Sequence, residues 1–141
     1  MALTLADAIT YSTAWLTSLE YDPLPVVDGG PADSITLKLS DDRLVLLTLG
    51  SGAGLDSEYM FDRPALQVYA VGAQGDQNDA EKLALDLDRG WLAAVRQFVG
   101  NTWVLSTVRA GGRPAKLLLD SADRSHYTCS YIIESEAGLD G

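Results

Sequence analysis

His126 is the only histidine of the chain, and it follows Asp120 and Asp123 at three-residue intervals. Carboxylates and an imidazole are the residue types that hold a divalent metal or move a proton. The three straddle a predicted change from turn to strand, however, and that change does not keep them on one face. Asp76, Asn78 and Asp79 resemble a calcium loop only in part, because the required glycine and the distal glutamate are missing. Gly50, Gly52 and Gly54 follow a predicted strand, as a phosphate-binding loop would. Their spacing is not that of a dinucleotide site, no lysine follows as in a P-loop, and LDSEYMFD does not read as a helix that offers its N-terminus to phosphate. Cys129 is the single cysteine. It excludes an internal disulfide and a CxxC site, and its apolar, alternating surroundings make it a small core residue. No serine stands in a nucleophile-elbow pattern. These residues form no catalytic constellation, so the expectation is a binding or assembly protein, not an enzyme, with no cofactor and no metal.

Composition narrows the choice further. The chain has 141 residues, long enough for one domain, 1–141, with a proper core. Its formal net charge is −10, which argues against a general nucleic-acid binder and against an anionic membrane surface, since both rest on Lys and Arg. No apolar run is long enough to span a membrane. The opening MALTLADAIT lacks a basic region and a cleavage pattern, so no signal peptide is expected and synthesis is placed in the cytoplasm.

The strongest element signal runs from Asn78 to Gly100. Ala80, Leu83, Ala84, Leu87, Trp91, Ala94, Val95 and Phe98 recur at helical spacing, which predicts one long helix with these residues on its core face. Asn78 with Glu81 reads as a capping box, and Gly100 as a stop. Gly90 costs roughly 1 kcal/mol against Ala inside a helix, so packing must hold that turn. Leu85, Leu92 and Val99 form a second row at seven-residue intervals. That row is either part of a wide core face or a subunit contact.

Around this helix the chain reads as follows. Thr4 to Glu20 is an amphipathic helix capped by Thr4, with Asp7 in its first turn. Leu24 to Asp33 is a loop. Ile35 to Leu39 and Leu44 to Leu49 form a hairpin across Ser40-Asp41-Asp42. Gly50 to Asp62 is a flexible loop, and Ala65 to Val71 a strand with Leu66, Val68 and Ala70 on one face and Gln67 and Tyr69 on the other. Trp103 to Ala110 and Ser125 to Glu134 are strands, Lys116 to Leu119 is an apolar run of undecided type, and 135–141 is a loose acidic tail. The predicted fold class is α+β: a mixed, largely antiparallel sheet with two helices packed on one face.

The order of several short pieces carries a resemblance. FDRP (Phe61 to Pro64) leads into ALQVYAVG. AEKLALDLDRGWLAAV follows, then VRAGGRPAKL, a DSADR turn and HYTCSYII. From about Arg43 to Glu134 this succession resembles the tail terminator proteins of long-tailed, non-contractile bacteriophages and neighbouring neck components. The ITLKL strand and the loop before it have no counterpart in the resemblance, which leaves a different neck role, such as a head-completion or stopper protein, as the alternative. A small-ligand module or enzyme built on the Gly50 loop and His126 is the rival of another class.

The resemblance implies a structural virion protein in the tail-neck region. It would form a homo-hexameric ring on the head-proximal end of the tail tube, contact the tail tube protein and a head-completion or connector protein, and let DNA pass through its lumen without specific binding. Under it, Leu85, Leu92, Val99, Gln67, Tyr69, Arg63 and Arg113 are the candidate subunit-interface residues. The loop bearing Gly50, Gly52, Gly54, Leu55 and Tyr59 is the candidate partner contact.

Overall fold

Thr4 Oγ1 accepts from the Asp7 backbone N at 3.2 Å, and the Asp7 carboxylate accepts from Thr4 N at 3.1 Å. This reciprocal cap satisfies donors that the first turn leaves orphaned, and it starts helix α1, Leu5–Ser18. The computed structural model of the protein describes residues 3–26, 34–56, 61–121 and 124–136. After α1 come strands β1 (Leu24–Val26), β2 (Ser34–Lys38), β3 (Leu44–Asp56) and β4 (Phe61–Val71), then helix α2 (Asp79–Leu92) and strands β5 (Gln97–Val99), β6 (Thr102–Arg109), β7 (Ala115–Leu119) and β8 (Ser125–Glu136).

The strands form one sheet in the order β1-β2-β3-β4-β8-β6-β5, with β7 also on β8, and all these pairings are antiparallel. The α+β class is therefore as expected. β4 pairs with β8 from Phe61↔Glu136 to Val71↔His126 and fills one edge of β8. The other edge is shared. β6 takes its later half (Arg109↔Tyr131) and β7 its first residues (Ala115↔Thr128). Residues Ala110 to Pro114 form the corner between these two end-to-end strands.

Alternation along the strands sets the core. Leu66, Val68 and Ala70 of β4, Val45 and Leu47 of β3, and Cys129, Tyr131 and Ile133 of β8 are buried, together with Ala8 and Leu16 of α1 and Ala80, Leu83, Leu87 and Trp91 of α2. Each large side chain fully buried in this way contributes roughly 1.5–3 kcal/mol.

Four expectations are corrected. First, α2 ends at Leu92, not near Gly100. Arg96 adopts a positive φ of 52° and Gly100 one of 59°, and between them the chain reverses into β5. Gly100 is thus the turn of the β5–β6 hairpin, and its backbone packs against Asp7 where a side chain would collide. Val95 and Phe98, assigned to a core face, are 45% and 63% exposed. Second, Asn78 makes no side-chain cap. The polar partner at that end is Asp79, whose carboxylate accepts from Ala73 N at 2.8 Å and from Arg43. Third, the predicted loop from Gly50 is mostly strand. β3 continues to Asp56 through a register shift between Gly50 and Gly54, opposite Asp62 and Arg63 of β4. Fourth, Leu24–Val26 pairs with β2 as an edge strand, and Ser135 and Glu136 belong to β8, so the tail assignment fails for those two residues.

Candidate functional site

The outward face of α2 and the β6–β7 corner enclose a furrow. Its larger part, about 810 Å³, is lined by Asn78, Glu81, Lys82, Leu85, Asp86, Asp88, Arg89 and Arg109. A smaller part of about 320 Å³ shares Glu81 and Leu85 and adds Arg113, Pro114 and Tyr127. Leu85 is the apolar floor common to both. The cations Lys82, Arg89, Arg109 and Arg113 stand around it, four of the ten Lys and Arg in the chain.

Two buried carboxylates fix the walls. Asp88 accepts from Arg109 Nε at 3.0 Å and from the Tyr131 hydroxyl at 2.9 Å. Burial alone would raise its pKa, but these hydrogen bonds favour the anion and hold the carboxyl below the ordinary carboxylate value. Burial and the neighbouring Cys129 and Asp88 push the Tyr131 hydroxyl far up, so it stays a protonated donor. Asp86 accepts from the Tyr21 hydroxyl at 2.6 Å and pairs with Arg89. Tyr21 is raised by burial and by Asp86. Asp86 and Asp88 are therefore largely neutralised from within. Lys82 and Arg113 make no salt bridge among the described residues, and the Arg89 side chain is 70% exposed. The two Asp–Arg pairs cancel within the wall, which leaves Lys82 and Arg113 beside Glu81, whose carboxylate accepts from the Tyr127 hydroxyl at 3.2 Å.

Beside the furrow the sheet is uncovered. Every residue of β7 is exposed, including Leu117 at 53%, Leu118 at 46% and Leu119 at 41%. Among the described residues nothing pairs with the outer edge of β7. On β5 and β6, Phe98 and the half-buried Trp103 meet edge to face with centroids 5.2 Å apart. This side of the sheet thus presents an open, apolar edge, the kind of surface that another chain covers.

Of the candidate interface residues, only Leu85 and Arg113 are brought together. Leu92 is half-buried against the core. Val99 lies on β5, is 0% exposed, and belongs to the core. The seven-residue row does not exist, because the helix stops before its third member. Gln67 and Tyr69 lie on the sheet face away from the helices, where Gln67 Nε2 donates to Thr128 Oγ1 at 3.4 Å. Arg63 is near the far end of β4, whose neighbour Asp62 pairs with Ser135, whereas Arg113 adjoins the Thr128 end of β8. Gly50, Gly52, Gly54 and Leu55 fall in β3, and Tyr59 lies outside the described residues.

The turn before β8 brings Asp120 and His126 together, against the expectation that the change from turn to strand keeps them off one face. His126 Nε2 lies 2.9 Å from Asp120 Oδ2 and its Nδ1 2.8 Å from the Tyr69 hydroxyl. An ionised carboxylate only accepts, so in the neutral ring Nε2 carries the proton and Tyr69 donates to Nδ1. Arg124 Nε donates to the same carboxylate at 3.1 Å. Asp123 lies outside the described residues. Among the described residues no three His, Cys, Asp or Glu side chains are grouped to hold a metal ion. No described helix is long and apolar enough to cross a membrane.

Comparison of the chain with protein-family models, curated proteins and solved structures finds no match.

Proposed function

We propose that the protein is a structural component of a phage neck, a tail terminator that assembles as a ring on the end of the tail tube and offers a surface for joining to the head. The observation that carries this reading is the uncovered apolar edge of the sheet, with Leu117, Leu118 and Leu119 in consecutive exposed positions on β7, whose outer edge has no partner among the described residues. Such an edge is a template for association, and an assembly that buries it makes it an asset. The order of sequence pieces from Arg43 to Glu134 adds the expectation of a tail terminator, a ring of six copies and a DNA-filled lumen. The work would be geometric: one side of the ring matches the last tube ring, and the other cannot accept another.

Electron microscopy of particles made without this chain is the test. Overlong tubes with unattached heads are the expected result. Normal-length tails beside full heads would move the role to head completion, the reading that the β1–β2 extension before Arg43 favours. Intact, infectious particles would remove the structural reading.

A further inference from the structure

We infer that Tyr69 is a nucleophilic phenol, activated by His126, that takes an acyl group from a small activated donor. Three side chains stand in series on the sheet face away from the helices. The Tyr69 hydroxyl donates to His126 Nδ1 across 2.8 Å, and His126 Nε2 donates to Asp120 Oδ2 across 2.9 Å. A nucleophile within hydrogen-bond reach of a base, with the base oriented by a third group, is the arrangement that nucleophilic catalysis uses. The furrow beside α2 takes no part in it.

The fold fixes each member. Tyr69 pairs with Thr128 and Val71 with His126 across β4 and β8, so Tyr69 and His126 are diagonal neighbours on one face. Asp120 follows β7, and its N–H donates to Arg124 O at 2.9 Å, which closes the turn into β8. Arg124 N donates to Asp120 Oδ1 at 3.0 Å and Arg124 Nε to Oδ2 at 3.1 Å. These bonds hold the carboxylate against the imidazole. The side chains of His126 and Asp120 are 17% and 20% exposed, and Tyr69 is half-buried, so the series is sheltered by the sheet yet open to a small molecule.

The chemistry selects the donor. The phenol oxygen attacks the acyl carbonyl while its proton passes to His126 Nδ1, and Asp120 stabilises the imidazolium that forms. The tetrahedral intermediate then collapses, the bond from the carbonyl carbon to the leaving group breaks, and the leaving group departs with the proton from Nδ1. The products are O-acyl Tyr69 and a free alcohol or thiol. A phenyl ester is itself an activated ester, so the transfer runs forward only from a donor at least as activated: an aryl ester, a thioester or an acyl phosphate. Leu46 pairs with Tyr69 on one side and Leu118 with His126 on the other, and both offer apolar contact to a short acyl chain. The inference does not rest on the phage reading.

The probe is p-nitrophenyl acetate, given to the full chain. Release of p-nitrophenolate is followed, and acid-quenched samples are digested to locate the acetyl group by mass spectrometry. The chain has six tyrosines, which serve as internal controls. Tyr69 is expected to carry acetyl ahead of every other tyrosine. Tyr69→Phe and His126→Asn, each checked for a native circular dichroism spectrum, should both slow release at least about tenfold, the low side of what a positioned base supplies. Asp120 is a positioning residue: Asp120→Asn should also slow release, and Asp120→Glu, which keeps a carboxylate, should retain more of it than Asn does. If His126→Asn does not fold, Tyr69→Phe and the site of acetylation decide. Acetyl spread over the tyrosines without preference, or a folded Tyr69→Phe or His126→Asn that releases like wild type, would each overturn the inference. Tube length in particles reads the proposed function separately, so either can fail alone.

Discussion

Gly90 of α2 lies directly against the indole of Trp15 from α1: a Cβ on Gly90 would stand 2.6 Å from Trp15 Nε1. The same indole donates to the Asp86 carbonyl at 2.7 Å, and the Tyr11 hydroxyl donates to the Gly90 carbonyl. Side chains of α1 lie directly on the backbone of α2 here, and the missing side chain at Gly90 is what allows it. In an open helix, Ala in place of Gly gains roughly 1 kcal/mol. Here Gly90→Ala is expected to destabilise by about 1–3 kcal/mol, because the indole must move or leave its hydrogen bond. Urea unfolding checks the sign, and a gain in stability would refute the packing account.

A glycine inside the helix, read from sequence alone, already demands a packing reason, and the indole supplies it. The core of α2 was legible for the same cause: Ala80, Leu83, Ala84, Leu87 and Trp91 keep helical spacing and are buried. The end of the helix was not. Ala93 to Val99 continues the spacing by accident, and what breaks it is tertiary: the chain reverses and β5 pairs with β6. The furrow was only half visible. Leu85 and Arg113 drew notice, but Arg109 meets Asp88 across 21 residues, a separation that no local pattern reports. The leucines of β7 read as an ordinary apolar run, since sequence cannot tell an exposed edge strand from a buried one.

Val99 and Leu118 separate core from surface. Val99→Ala is expected to cost on the order of 2 kcal/mol, measured by urea unfolding, since the side chain is fully buried in the core. Leu118→Lys should leave the unfolding midpoint nearly unchanged and reduce self-association seen by sedimentation. A large loss of stability in Leu118→Lys would place that residue in a core and end its role at an open edge.

Arg43 and Asp79 hold the start of α2 to the β2–β3 turn. Arg43 Nε donates to Asp79 at 2.7 Å and Nη2 to the other oxygen at 2.9 Å, with only 18% and 9% of the two side chains exposed. Asp79→Ala leaves a guanidinium without its fork partner and the Ala73 N–H without an acceptor. A loss of about 3 kcal/mol is expected. Arg43→Lys should not preserve the interaction, because an ammonium cannot make both bonds. A double-mutant cycle that returns no coupling would contradict this.

Stability should fall in acid, through three carboxylates. Burial works to raise Asp7, Asp79 and Asp88. The hydrogen bonds to Asp7 from Asn101 N, Thr102 and Thr4, to Asp79 from Arg43 and Ala73 N, and to Asp88 from Arg109 and Tyr131 outweigh it. All three pKa values therefore lie below the ordinary 3.8. The unfolded chain binds protons first as pH drops, so the stabilisation is complete well above 3.8 and is lost as pH falls through the lower, folded-state values. Thermal midpoints taken from pH 7 to pH 2 should be level near neutrality and decline steeply below about 4. Asp7→Asn keeps the shape of the side chain but cannot titrate. It should lower the midpoint at pH 7 and flatten the acid limb, and an unchanged slope would mean that Asp7 contributes nothing to the acid dependence.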